Sequence, residues 1–96
     1  MDREVSSAEL SRRLVVEGRV QGVGFRVSCA RRARALGLSG WVRNLPDGSV
    51  EVLLQGPQGS VTEVERWCAH GPHLAEVTSV EATNEPHTTE HGFAIR

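Results

Sequence analysis

Between Leu14 and Leu36 the chain changes its hydrophobic period from that of a strand to that of a helix. Leu14, Val16, Gly18 and Val20 alternate with Val15, Glu17 and Arg19, as in a strand with one buried face. Gln21-Gly22-Val23-Gly24 interrupts the run. Cys29, Ala30, Ala33 and Leu36 then recur at helical spacing, with Arg31, Arg32 and Arg34 off the stripe. A strand that turns this abruptly into an amphipathic helix predicts a helix packed on a sheet.

The remainder extends the pattern. Gly37 is a helix stop, and Trp41 and Val42 begin a second strand. Leu45-Pro46-Asp47-Gly48 is a turn, since Pro presets one backbone angle and Gly accepts a positive one. Val50, Val52 and Leu54 return as a third strand, forming a hairpin with the second. Ser60-Val61-Thr62-Glu63 reads as a capping box with Ser60 at the N-cap. Val61, Val64 and Cys68 form the apolar face of a second helix, with Trp67 beside them, and Gly71-Pro72 ends it. Val77 and Val80 mark a fourth strand, Phe93 and Ile95 a short last one.

The order is β-α-β-β-α-β with a short extra strand. It predicts an α+β, ferredoxin-like sandwich in which two helices cover one face of an antiparallel sheet. Residues 1–11 are polar and read as a flexible N-terminal arm, leaving residues 12–96 as the domain. At 96 residues the chain is one domain. No apolar run approaches the roughly 20 residues of a membrane-spanning helix.

Nine arginines and four acids lie in residues 1–44, two arginines and eight acids in the remainder, for a net charge of -1. That balance offers no general attraction to nucleic acid or an acidic membrane. An RNA-recognition module of this element order would stack bases on sheet aromatics. The third strand has none, and the chain contains no Tyr. Cys29 and Cys68 are too few for a disulfide framework, and residues 1–11 lack a signal peptide's apolar core. The expectation is a cytoplasmic monomer with free thiols buried as small hydrophobes.

Two segments carry chemistry. In Gly18-Arg19-Val20-Gln21-Gly22-Val23-Gly24-Phe25-Arg26, a glycine-rich loop opens a helix. Its amides can converge on an anion at the positive end of the helix dipole. Arg26 in the first turn opposes that dipole, which suits a bound anion better than helix stability. Taken alone, the loop also reads as a tight strand–helix turn with a surface arginine. In Gly40-Trp41-Val42-Arg43-Asn44, Asn44 ends the second strand. It can start the turn by bonding its own backbone, or orient a water without acting as a base.

Together the two segments resemble the acylphosphatase family, in spacing as well as residues. The likeness runs from about Arg13 to Arg96 and includes Gly48, Val50, Gly56 and the ending Phe93-Ala94-Ile95-Arg96. It implies hydrolysis of the carboxyl–phosphate bond of small acyl phosphates such as acetyl or carbamoyl phosphate, with no metal or other cofactor. It also implies that Arg26 binds the phosphoryl group with the backbone amides of Gln21, Gly22, Val23, Gly24, Phe25 and Arg26, while Asn44 orients the attacking water. Cys29 stands where the family would have Thr or an aliphatic residue. A phosphate-binding module on the same fold would need the loop and Arg26 but not Asn44.

His70, His73, His87 and His91 sit in expected loops without matching ligands and read as solvated. The Arg31, Arg32 and Arg34 face reads as solvated surface. Trp41 and Trp67 read as core anchors, Asp47 as a turn residue and Glu51 as a strand surface residue.

Overall fold

The computed structural model describes residues 8–96. Their order is β1 (Glu9–Arg19), α1 (Phe25–Ala35), β2 (Ser39–Asn44), β3 (Val50–Pro57), α2 (Gln58–Cys68), β4 (Glu76–Asn84) and β5 (Phe93–Ile95). The strands form one sheet in the order β4-β1-β3-β2-β5. Both helices pack on the face that carries Leu14, Val16, Val42, Val52 and Leu54. Alternation put those side chains on one side, and Cys29, Ala30, Ala33, Val61, Val64 and Cys68 close the core from above. α1 stops at Gly37 as expected: Gly37 N–H donates to Arg34 and Leu38 N–H to Ala33, the paired bonds of a Schellman end.

Five expectations are corrected. Residues 1–7 of the expected arm lie outside the described residues, but Glu9, Leu10 and Ser11 pair with Pro57, Gly56 and Gln55 of β3. Leu10 packs against the core, and Ser11 Oγ donates to Gln55 Oε1 at 2.8 Å.

The sheet is mixed, since β5 runs parallel to β2. Residues 85–92 carry the chain from the β4 edge to the opposite edge, and a strand arriving that way is not bound to the direction of a hairpin. Gln55 holds the crossing: its Oε1 accepts from Thr88 N–H at 2.9 Å and its Nε2 donates to the Thr88 carbonyl at 3.0 Å.

Ser60 is not the N-cap of α2. The helix starts at Gln58 with Pro57 at the cap and no side-chain capping bond. Gln58 N–H donates to the Ala8 carbonyl at 2.9 Å, so tertiary structure satisfies the first of the free N–H groups at the start of the helix.

The face of the sheet away from the helices accounts for the last two corrections. Trp41 is half-buried there, outside the core, with the guanidinium groups of Arg43 and Arg96 5.1 and 4.9 Å from its ring centre. Trp67 borders the core against Phe25. Glu51 is only 3% exposed, held by Arg43 Nε at 2.6 Å and by Arg13 Nε. Burial raises the Glu51 carboxyl, but hydrogen bonds from Arg43 and Arg13, and their charges, more than offset this and leave it below the usual glutamate value.

Glu51→Gln is therefore expected to cost about 1.5–3 kcal/mol at pH 7, the range for hydrogen bonds to charged partners. A carboxyl depressed on folding contributes fully above its unfolded value, and the contribution is lost as pH falls through the folded one. Urea unfolding should show the two proteins converging below about pH 4. A gap that persists in acid would trace the effect to packing instead of charge.

Candidate active site

β1 enters the loop of residues 21–26 at the end of the sheet where β2 finishes. Gly22 and Gly24 have φ of 75° and 82°, a conformation L side chains rarely adopt. A Cβ on either would meet nothing within 4 Å, so the glycines serve backbone shape and not crowding. Gly24 caps α1 without a side-chain bond, and the first turn holds no acid. Among the described residues, the backbone N–H groups of residues 21–26 donate to no protein acceptor. Free donors at a helix N-terminus form an anion cradle.

Phe25 fixes the position of that terminus. It is 1% exposed in the core, its ring centre 5.2 Å from that of Trp67. Arg26 follows, half-buried, with Nη1 donating to the Arg96 carbonyl at 3.2 Å. Asn44 shares a face of β2 with Gly40 and Val42 by alternation, which directs it to the helix-covered side beside the start of α1. Asn44 Oδ1 is buried and has no hydrogen-bond partner, a state that costs about 1–3 kcal/mol unless something donates to it.

Gly22, Gly24, Arg26 and Asn44 line one concavity of about 160 Å³, with Val20, Val27 and Ile95 completing its wall. That is below the roughly 300–1,000 Å³ of sites for drug-sized ligands and suits a small anion. The other loop positions contribute no side chain to the concavity. Val23 packs against the core and Phe25 lies within it. Gln21 turns its amide to the hairpin, where Nε2 donates to the carbonyls of Leu45 and Ser49 at 2.8 and 2.9 Å.

The Gln21 side chain is the element that sequence reasoning missed, having weighed only its backbone amide. It straps the cradle to the turn that follows Asn44. A local reading holds no signal for it, because the accepting carbonyls lie 24 and 28 residues away.

The four histidines are exposed in connecting segments. Cys29 and Cys68 are buried free thiols. A hydrogen bond with Cys29 and burial push the Cys68 thiol well above its ordinary value, as expected of a buried structural thiol.

A family model for acylphosphatases matches residues 12–95. The chain belongs to the acylphosphatase family. Among curated relatives, an acylphosphatase of Synechococcus sp. (strain WH7803) is 54% identical over 84 residues, spanning 88% of this chain and 84% of the relative. Of solved structures, an acylphosphatase from Coxiella burnetii superposes with a TM-score of 0.88 at 35% identity, covering 92% of this chain and 93% of that one. The Bacillus subtilis acylphosphatase gives 0.86 at 36% identity, with coverage of 91% and 98%. The acylphosphatase fold is thus present over nearly the whole described chain, and the activity is that of a hydrolase of acyl phosphates.

Proposed function

We propose that this acylphosphatase cleaves the carboxyl–phosphate bond of small acyl phosphates, acetyl or carbamoyl phosphate among them, by in-line attack of a water oriented by Asn44. The observation that carries this reading is the meeting of Arg26, the undonated loop amides and the unpaired Asn44 Oδ1 on one concavity. Arg26 and the amides hold the phosphoryl oxygens and stabilise the charge spread over them. Asn44 accepts a hydrogen bond from the water and holds its oxygen in line with phosphorus.

The water oxygen bonds to phosphorus as the bond from phosphorus to the acyl oxygen breaks. The electron pair leaves with the carboxylate, and the water's proton passes to the phosphate. A carboxylate leaves without protonation, since its conjugate acid has a pKa of roughly 4. The scheme therefore asks for no general acid, metal or other cofactor. The catalytic unit is residues 12–96, extended by the start of β1, and the reading keeps it a cytoplasmic monomer without nucleic-acid or membrane partners.

The test is release of phosphate from benzoyl and acetyl phosphate in EDTA, for the wild type and Arg26→Ala. The wild type is expected to turn over. Arg26→Ala should lose about 100-fold or more in kcat/KM, as for loss of a charge-stabilising donor, and should weaken competitive inhibition by inorganic phosphate. Unchanged phosphate inhibition in a folded Arg26→Ala protein would refute the assignment.

Gln21→Ala removes both hydrogen bonds that join cradle and hairpin. Its expected signature is a fall in kcat of about tenfold with a smaller change in phosphate inhibition, because the amides and Arg26 remain. Gln21→Glu should not rescue it, since a carboxylate has no donors for two carbonyls. A pure stability loss with kcat intact would make Gln21 structural only.

A further inference from the structure

Three large hydrophobic residues are exposed among the described residues: Val27 at 53%, Leu74 at 66% and Ile95 at 41%. Single exposed apolar residues are ordinary on a protein surface. Here, however, Val27 and Ile95 line the same small concavity as Arg26 and Asn44. They reach it from different elements, Val27 from the first turn of α1 and Ile95 from edge strand β5. Neither belongs to the buried hydrophobic core, and each leaves two-fifths or more of its surface exposed, so core burial does not account for them.

The concavity consequently has two ends of different chemistry. Gly22, Gly24, Arg26 and Asn44 make one of donors and charge, while Val27 and Ile95, with Val20 behind them, make the other of aliphatic carbon. An acyl phosphate is divided in the same way, into a dianionic head and an acyl tail. With the head and the water at the polar end, the wall left for the tail is apolar. Covering it removes apolar surface of both ligand and protein from water. An acetyl group offers one methyl for this contact, and a carbamoyl group is polar. An aromatic or branched aliphatic acyl group offers more apolar surface for contact with both side chains.

We infer that Val27 and Ile95 form an acyl-binding rim that gives this enzyme a preference for acyl phosphates with aromatic or branched aliphatic tails. The inference rests on the placement of the phosphoryl group proposed above and adds the selection of the leaving group.

The experiment compares KM and kcat for benzoyl and acetyl phosphate in the wild type, Val27→Ser, Ile95→Ser and the double variant, with inhibition by inorganic phosphate measured alongside. The wild type should show a KM for benzoyl phosphate about tenfold below that for acetyl phosphate. Each single variant should raise the benzoyl phosphate KM about three- to fivefold, and the double variant about tenfold. Val27→Thr, which keeps the side-chain shape, should fall between wild type and Val27→Ser. The acetyl phosphate KM and the phosphate inhibition constant should move less than twofold. Equal losses on both substrates, or no benzoyl preference in the wild type, would overturn the rim. Turnover of neither substrate by the wild type would instead remove the hydrolase reading, and the rim with it.

Discussion

Asn44→Ala is expected to leave a folded protein that binds inorganic phosphate normally and turns over acyl phosphates about 100- to 1,000-fold more slowly. The magnitude is that of removing one preorganised group that acts only in the transition state, roughly 3–4 kcal/mol. The sparing of phosphate binding follows from the structure. Arg26 is held by the Arg96 carbonyl, the cradle by Gln21, and neither contact involves the Asn44 side chain. Folding should also be spared, because the Asn44 backbone keeps its pairing with Val50. The side chain removed carries the unpaired Oδ1, so no buried bond to that atom is broken. The decisive comparison is kcat against phosphate inhibition in Asn44→Ala and Arg26→Ala. Parallel loss of phosphate binding in both would show that Asn44 holds the phosphoryl group and not the water.

The second large effect is on stability. Gly40→Ala is expected to destabilise the fold by about 4 kcal/mol or more, the range reserved for a few severe mechanisms. Gly40 has a φ of 135°, and a Cβ there would lie 1.9 Å from the Leu53 carbonyl oxygen and 2.8 Å from its carbon. Both are backbone atoms of the neighbouring strand, so no side chain can swing aside. β2 would have to part from β3, and with it the hydrogen bond from Gly40 N–H to the Gly92 carbonyl that steers the chain into β5. Gly59→Ala is the control. Its Cβ would meet nothing within 4 Å in the helical first turn of α2, and it should be neutral or stabilising by up to about 1 kcal/mol. Equal urea midpoints for the two variants would contradict the argument.

The candidate site was legible because both halves of it are local. Gly22 and Gly24 shape the loop through their own φ values, and Arg26 and Asn44 are each placed by the element they end or begin. What joins the halves was not legible. The Gln21 strap needs the carbonyls of Leu45 and Ser49, and Ile95 reaches the concavity only because β5 lies parallel beside β2.

A similar division runs through the fold. Hydrophobic period alone located the strands and helices around Leu14, Val42, Val52, Cys29 and Val64, since burial of one face repeats with the geometry of the element itself. The residues that misled depend on what covers them. Glu51 looked like strand surface, yet two arginines from neighbouring strands enclose it. Trp41 looked like core, yet it lies against two guanidinium groups on the face away from the helices. Ser60 looked like a helix cap, yet Ala8 supplies the acceptor for Gln58. Period, turn chemistry and the two motifs act over a few neighbouring residues and were therefore determined by sequence. Edge-strand direction, the burial of charge and the apolar rim of the site depend on chain segments many residues apart, and only the tertiary structure decided them.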